Sequence, residues 1–162
     1  MKKKKQNSQS AQNSSNGTAT ASSGGAKTVP PKIGGGSGSD IAQYACQFVG
    51  NPYVPGGSSL TNGADCSGFT QSVYRVYGYS IPRNSSSQRS AGREVSYEEA
   101  QPGDLVFFTK TYKTDNYITH VGIYAGNGRM FHAGNPIGFA DLNTSFWKEH
   151  FVCIGRVSTP SQ

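Results

Sequence analysis

The chain has 162 residues, of which 34% are hydrophobic, and a formal net charge of +6. This length suits one hydrophobic core, because single cores commonly span about 100 to 150 residues. Nucleic-acid binding is not expected. The whole charge excess lies before Asp40, and from there onward nine Lys or Arg balance nine Asp or Glu, whereas a groove for phosphates must lie on the fold itself.

Residues 1–39 are rich in Ser, Gly, Asn and Lys and show no helical or strand period. They cannot bury enough apolar surface to offset their ordering entropy, so we expect a flexible tail or linker, and a short tail over 158–162. Lys2 to Lys5 resemble the start of a secretory signal, but no apolar run of about 7 to 15 residues follows. We therefore expect export information upstream of this sequence or another export route. No run approaches the roughly 20 apolar residues of a membrane span.

The predicted domain, residues 40–157, opens with two helices. Asp40 caps the first, whose apolar residues follow a 3.6 period and which stops at Gly50. A loop rich in Pro and Gly covers 51–57. The second helix begins at Asp65 or Cys66 and stops at Gly78.

After these helices the pattern changes to short β-type runs separated by turn residues. The candidate strands are 105–110, 120–125, 129–133 and 151–157, with a short helical turn at 145–150. Helices first and an antiparallel meander afterwards indicate an α+β domain, with the second helix packed on one sheet.

Three cysteines do not form a disulfide framework, because an odd number leaves at least one thiol free. Cys46 and Cys153 lie in apolar patterns, and we expect both to be buried as small hydrophobic residues. A disulfide between these two stays open at this point.

Cys66 lies in a different setting, at the first turn of a predicted helix. The positive end of the helix dipole lowers a thiol pKa, more so beside an imidazolium. The backbone N–H of Cys66 is unpaired within the helix and could donate to an oxyanion. Ser67 and Gly68 leave space for a substrate. Taken alone, a cysteine at a helix start is more often structural than catalytic.

His120 and His132 flank a predicted hairpin turn, and the length of that turn decides whether they can cooperate. A two-residue turn at 127–128 puts them on opposite faces of the sheet. A three-residue loop over 126–128 pairs His132 with Gly122, on the face of His120. We predict the three-residue form, with Gly128 left-handed in a bulge. His150 is expected to be an ordinary packed or surface residue.

Several segments in chain order resemble the NlpC/P60 family of cell-wall peptidases. They are Gly50-Asn51-Pro52-Tyr53 with Gly56-Gly57, Asp65-Cys66-Ser67-Gly68-Phe69, Ile81-Pro82-Arg83-Asn84-Ser85, Pro102-Gly103-Asp104-Leu105-Val106-Phe107-Phe108, His120-Val121-Gly122-Ile123-Tyr124 and Phe131-His132-Ala133. The resemblance covers about residues 40–157 and implies a papain-like fold. The family often has Trp where this chain has Pro55, which changes one wall of the expected pocket.

The resemblance also implies roles for particular residues. Cys66 is the implied nucleophile, His120 the base, and His132 the residue that orients the base. The implied substrate-binding residues are Tyr53, Asp65, Ser67 and Arg83, although Asp65 also suits a helix N-cap. The usual family reaction hydrolyses the γ-D-glutamyl bond to the following diamino acid of peptidoglycan stem peptides, through a thioester. It requires no cofactor and no metal.

Three alternatives remain open on the sequence. The same Cys and His pair could serve an amidase or acyltransferase, or Cys66, His120 and His132 could bind zinc. The domain could also be a non-catalytic wall-binding module. Because a Ser/Gly-rich tail precedes the domain, the layout resembles two-domain wall hydrolases of Gram-positive conjugative elements. We therefore expect an upstream wall-hydrolase module, a monomer, and an extracellular or cell-wall location.

Overall fold

The computed structural model describes residues 38–157, so the predictions for the tails lie largely outside the described residues. Within this range the chain forms four α-helices: α1 Gly38–Cys46, α2 Cys66–Val76, α3 Ser85–Ala91 and α4 Ser145–His150. A 3₁₀ turn covers Tyr97–Glu99. None of the helices in the described part is both long and apolar enough to cross a membrane.

The same range contains eight strands. They are β1 Ser58–Ser59, β2 Gly63–Ala64, β3 Arg93–Val95, β4 Leu105–Phe108, β5 His120–Gly126, β6 Arg129–Ala133, β7 Ile137–Asp141 and β8 Phe151–Arg156. β1 and β2 form a small separate hairpin, and the other six form one antiparallel sheet in the order β3-β8-β4-β5-β6-β7. The four predicted strands correspond to β4, β5, β6 and β8, whereas β3 and β7 were not predicted. Strands β4 to β7 are neighbours in chain order, and β8 returns to pair between β3 and β4.

The sheet separates two apolar layers, because successive side chains of a strand point to opposite faces. On one face Phe107 and Val121 are fully buried in a large cluster that includes Phe69 and Val73 of α2. On the other face Val106 and Phe108 belong to a smaller cluster that is partly covered by Trp147 of α4. The prediction of an α+β domain with α2 packed on one sheet is confirmed.

The two ends of α2 follow the predicted sequence signals. Its N-cap is Asp65, whose side chain accepts a hydrogen bond from the Gly68 N–H. Past its C-terminal end, Gly78 has a φ of 88°, which favours glycine and allows the chain to leave the helix. The predicted stop at Gly78 is therefore confirmed.

Two expectations near α1 are wrong. The helix begins at Gly38, so Asp40 lies in its first turn instead of capping it. A side chain on Gly38 would place its Cβ 2.1 Å from the Pro102 carbonyl oxygen, so the start of α1 packs closely on the turn before β4. Cys46, expected to be buried, is exposed at the last residue of the helix. Cys153 is buried as expected, and neither cysteine forms a disulfide.

Candidate active site

Cys66 is the first residue of α2, and its thiol is partly buried. Burial raises the pKa of this thiol, and the charge of Asp65 raises it further. Backbone groups of Val121 and Ser67 and the charge of Arg83 act in the opposite direction. Because burial is the largest effect, the pKa of the thiol is raised overall, which favours the neutral thiol over the thiolate. The contact with Val121 also brings the thiol to the start of β5, next to His120.

The β5–β6 hairpin brings the two histidines together by a different route from the predicted one. Gly126 pairs with Arg129, so the turn has two residues, Asn127 and Gly128, with φ values of 55° and 75°. These positive φ values are those of a type I′ turn. The register then shifts between Tyr124 and Gly126.

The extra residue responsible for this shift is Ala125, which therefore forms a β-bulge. Beyond the bulge Ile123 pairs with Phe131, which is the register predicted for a three-residue loop. Gly128 is left-handed as predicted, but the predicted loop and the position of the bulge are wrong. The expectation that a two-residue turn would remove His132 from the site is wrong for the same reason.

The two imidazoles are hydrogen-bonded to each other: Nε2 of His120 lies 2.9 Å from Nδ1 of His132. This contact occupies one ring nitrogen of His120 and leaves Nδ1 as the nitrogen that could accept a proton. If His120 is to act as a base, its Nε2 must carry the hydrogen and donate to His132. The arrangement therefore links the tautomer of His120 to the presence of His132.

Both histidines are held in the neutral form. Burial lowers the pKa of His120, and the nearby His132 lowers it further. Burial also lowers the pKa of His132. Neutral imidazoles match the neutral thiol, so the resting site carries no thiolate–imidazolium pair. Proton transfer from Cys66 to His120 would then accompany attack on a substrate.

A cavity of about 850 Å³ collects these groups. Its wall includes every residue to which the resemblance gave a role: Tyr53, Asp65, Cys66, Ser67, Arg83, His120 and His132. The wall also includes residues that the sequence did not single out, among them Thr111, Tyr112, Asn116, Phe146 and Trp147. A smaller cavity beside Cys153 lies away from this site and is lined by Arg89 and Glu94.

Arg83 links the two residues that flank Cys66. Its guanidinium donates to Ser67 Oγ at 2.8 Å, to Asp65 Oδ2 at 3.1 Å and to the Gly57 carbonyl at 3.1 Å. Asp65 also accepts from the backbone N–H of Gly56 at 3.1 Å. The planar guanidinium therefore orders the loop before α2 and the first turn of the helix as one unit.

Tyr53 lies near the nucleophile, where it forms an isolated parallel bridge with Ala64. Burial raises the pKa of its phenol, and the negative charge of the neighbouring Asp65 raises it further. The phenol therefore keeps its proton and can donate a hydrogen bond into the cavity.

Trp147 is the site residue that sequence reasoning missed. Its indole stacks on His120, with ring centroids 5.6 Å apart and an interplanar angle of 28°. It meets His132 edge to face at 5.2 Å and 80°. In the sequence, Trp147 stands out only as the single tryptophan of the chain. This does not indicate that α4 packs against the histidines.

The zinc alternative finds no support in the described part of the chain. Between residues 38 and 157, no group of three or more His, Cys, Asp or Glu is placed to hold a metal ion. The nearest candidates, His120 and His132, direct ring nitrogens at each other.

Comparison with known proteins assigns the family. The NlpC/P60 family profile matches residues 50–156. The chain belongs to the NlpC/P60 family. This range contains all the motifs quoted above, and the predicted papain-like architecture is confirmed by similar solved structures.

The chain is 42% identical over 118 residues to the bifunctional muramidase/DL-endopeptidase CwlT of Bacillus subtilis, covering 72% of this chain and 36% of that protein. It is 37% identical over 131 residues to the γ-D-glutamyl-L-lysine dipeptidyl-peptidase of B. subtilis, covering 79% and 44%. An NLP/P60 family protein similar to a lipoprotein from Staphylococcus aureus superposes with a TM-score of 0.71 at 42% identity, covering 81% and 45%. The chain thus spans less than half the length of each of these proteins.

Proposed function

We propose that this domain is a cysteine endopeptidase that hydrolyses amide bonds in the stem peptides of peptidoglycan, with the γ-D-glutamyl to diamino acid bond as its target. The observation that carries this proposal is the single cavity in which Cys66 at a helix start meets the hydrogen-bonded pair of His120 and His132. Similar proteins named as a DL-endopeptidase and as a γ-D-glutamyl-L-lysine dipeptidyl-peptidase support the class of bond.

The proposed reaction begins with both groups neutral. Cys66 Sγ attacks the carbonyl carbon while its proton moves to Nδ1 of His120, and the carbonyl oxygen becomes an oxyanion. The Cys66 backbone N–H, which lies in the first turn of α2, is a donor for this oxyanion, and the phenol of Tyr53 is a second candidate. His132 holds the imidazole through Nε2 and accepts its hydrogen bond.

The tetrahedral intermediate then collapses, the C–N bond breaks, and the leaving amine takes the proton from His120 Nδ1. The acyl group remains on Cys66 as a thioester. In the second half, a water molecule gives a proton to Nδ1 and attacks the thioester carbonyl. When the C–S bond breaks, the thiol recovers this proton and the carboxylic acid product leaves. No cofactor takes part in these steps.

The substrate is expected to lie in this cavity, whose wall includes both Arg83 and Trp147. Asp65, Ser67 and Arg83 form a polar cluster next to the nucleophile, suited to the polar groups of a stem peptide around the cut bond. Tyr53 is 36% exposed at the rim. We assign these four residues to substrate binding.

The complete protein is proposed to act in the cell wall, outside the membrane, with this domain following another wall-hydrolase module. The support is that the curated relatives are considerably longer than the matched region, and that CwlT combines a muramidase with an endopeptidase. Residues 1–39, the predicted tail or linker, are proposed to join the domain to that module.

Mass spectrometry of muropeptides incubated with the wild type, Cys66→Ala and Cys46→Ala tests this function. We expect the wild type and Cys46→Ala, whose altered cysteine is exposed and distant in sequence, to release fragments ending in D-glutamate, and Cys66→Ala to release none. Cleavage between the glycan and the peptide would indicate an amidase, and peptide products joined to a new amine would indicate an acyltransferase. Sedimentation with intact sacculi without any cleavage would indicate a wall-binding module.

A further inference from the structure

Trp147 contacts both histidines of the proposed site in addition to its apolar neighbours. Its indole lies nearly parallel to the His120 ring, at a centroid distance of 5.6 Å, and nearly perpendicular to the His132 ring at 5.2 Å. Phe108 of β4 packs against the indole at 4.7 Å, from within the smaller apolar cluster. The tryptophan therefore bridges that cluster and the histidine pair.

We propose that Trp147 is a positioning residue for His120, whose indole face fixes the plane of the imidazole and stabilises its protonated form during the reaction. This inference rests on the proposed role of His120 as the base. It adds to that role a residue from α4, an element outside the family motifs in this sequence.

The first step concerns orientation. The hydrogen bond from His120 Nε2 to His132 Nδ1 fixes one edge of the imidazole, but the ring can still tilt about the line joining the two nitrogens. A stacked indole opposes this tilt, because the two ring faces lose contact when their planes diverge. Nδ1 thereby keeps one direction relative to the thiol of Cys66.

The second step concerns charge. When His120 accepts the Cys66 proton it becomes an imidazolium in a partly buried place. The titratable groups facing it are His132 from β6 and Cys66 from α2, while β4 presents Phe108 and α4 presents Trp147. Burial and His132 both disfavour the cation. A tryptophan face attracts cations more strongly than the faces of tyrosine or phenylalanine do, so Trp147 offsets part of this cost.

The test compares Trp147→Phe, Trp147→Leu and the matched control Phe139→Leu, which removes an aromatic ring that is 48% exposed on β7, away from the cavity. We expect Trp147→Leu to lower kcat about ten-fold, since a desolvated cation–π contact is worth roughly that factor. KM should change less than kcat. Trp147→Phe should retain most of the activity, because a ring can still stack, and Phe139→Leu should match the wild type.

Imidazole nitrogen NMR supplies a readout that a packing role would not move. In Trp147→Leu the pKa of His120 should fall further below that of the wild type, while Trp147→Phe should lie between the two. An unchanged His120 titration in a folded Trp147→Leu would overturn the proposal. So would equal losses of kcat in Trp147→Phe and Trp147→Leu.

The wild type allows a third measurement, because its single tryptophan makes the tryptophan emission report on the surroundings of this one indole. Protonated imidazole quenches indole emission, so the emission should titrate with the His120 NMR signal and lose this titration in His120→Ala. Emission that follows no histidine signal would contradict the stack in solution. These two measurements need no substrate, so they decide the role of Trp147 even if the domain cuts no muropeptide.

Discussion

Arg83 is ion-paired with Asp65 directly beside the proposed nucleophile, with 3.0 Å between Arg83 Nη2 and Asp65 Oδ1. The same guanidinium reaches Ser67 Oγ, so one side chain contacts both neighbours of Cys66 in sequence. Because the Arg83 side chain is 38% exposed, the pair adds little to stability by charge alone. We expect the pair to matter because it holds Asp65 and Ser67, two of the proposed substrate-binding residues, in position.

Replacement of Arg83 by Lys should therefore reduce activity more than stability. Lysine keeps the charge but cannot contact Ser67, Asp65 and the Gly57 carbonyl with one planar fork. We expect kcat/KM to fall at least about ten-fold, with an unfolding free energy within about 1 kcal/mol of wild type. Arg93→Lys, at an exposed position of β3, is the control. If Arg83→Lys lost stability in proportion to its loss of activity, Arg83 would have only a structural role.

Gly122 is expected to tolerate no side chain, because a Cβ there would lie 2.5 Å from Met130 Sδ and 3.2 Å from His132 Cβ. The Gly122→Ala variant should lose about 1 to 3 kcal/mol of unfolding free energy, and it should lose activity beyond this because His132 is pushed away from His120. Gly138→Ala is the matched control on β7, where the nearest atom to a new Cβ is 3.6 Å away. Thermal unfolding and muropeptide cleavage measure both effects, and wild-type activity in Gly122→Ala would contradict this account of the site.

The histidine pair should make the domain sensitive to mild acid. Burial lowers the pKa of His120 to about 3 and that of His132 to about 4, from an ordinary value of 6.5. The unfolded chain therefore binds protons first as the pH falls, so this contribution to stability is complete above about pH 6.5 and is lost between there and about pH 3.

Urea unfolding at pH 7 and pH 5 tests this sensitivity. The wild type should lose more unfolding free energy between these two pH values than a His120→Gln, His132→Gln double variant, which has no imidazole to protonate at the site. Because both proteins contain the same carboxyl groups, the difference between their losses removes the effect of carboxyl protonation on the unfolding free energy. Equal losses in the two proteins would show that the histidines are not held neutral.

Gln88 is the buried polar residue that ties α3 to the start of α2. It is 1% exposed, its Nε2 donates to the carbonyls of Ser67 at 3.0 Å and Pro82 at 2.8 Å, and its Oε1 accepts from Thr70 at 2.7 Å. Gln88→Leu removes all three hydrogen bonds and takes this donor from the Pro82 carbonyl, while the Thr70 hydroxyl still has the Ser67 carbonyl as an acceptor. The variant should cost about 1 to 3 kcal/mol of unfolding free energy.

Gln71→Leu is the comparison for Gln88, since Gln71 is only partly buried and donates one hydrogen bond, to the Ile81 carbonyl. Chemical denaturation should show a clearly smaller loss for Gln71→Leu. If the two variants unfold at the same denaturant concentration, the buried network around Gln88 is not a main support of the segment that carries Arg83.

The sequence allowed a good prediction of the elements that carry apolar periodicity. α2 has a regular apolar stripe with a capping Asp65 and a terminal Gly78, and both ends lie where the sequence indicates. α3 was missed because Ser85–Ala91 has no apolar stripe. It is held instead by the Asn84 cap and the buried Gln88, and such tertiary contacts leave no local pattern.

The sequence motifs predicted the residues that would come together, but not the contacts that depend on packing. Cys66, His120 and His132 line one cavity, and the register that joins the histidines was predicted for a turn that the chain does not use. Trp147 could not be predicted, because its position depends on how a six-residue helix docks over the far face of the sheet. Strand β7 was missed as well, since Ile137–Asp141 is short and contains a glycine and an aspartate, which are rare in strands.

The bulge at Ala125 places the side chains of His120 and His132 on the same face of the sheet. A type I′ turn of two residues alone would send the side chains of His120 and His132 to opposite sides of the sheet, and one added residue in β5 reverses that outcome. Deleting Ala125 would leave the turn and both histidines in the chain but turn one imidazole toward the face of the sheet on which α2 packs. The number of residues between His120 and His132 therefore decides whether the two imidazoles share one face of the sheet. A substitution leaves that number unchanged, whereas an insertion or a deletion of one residue changes it.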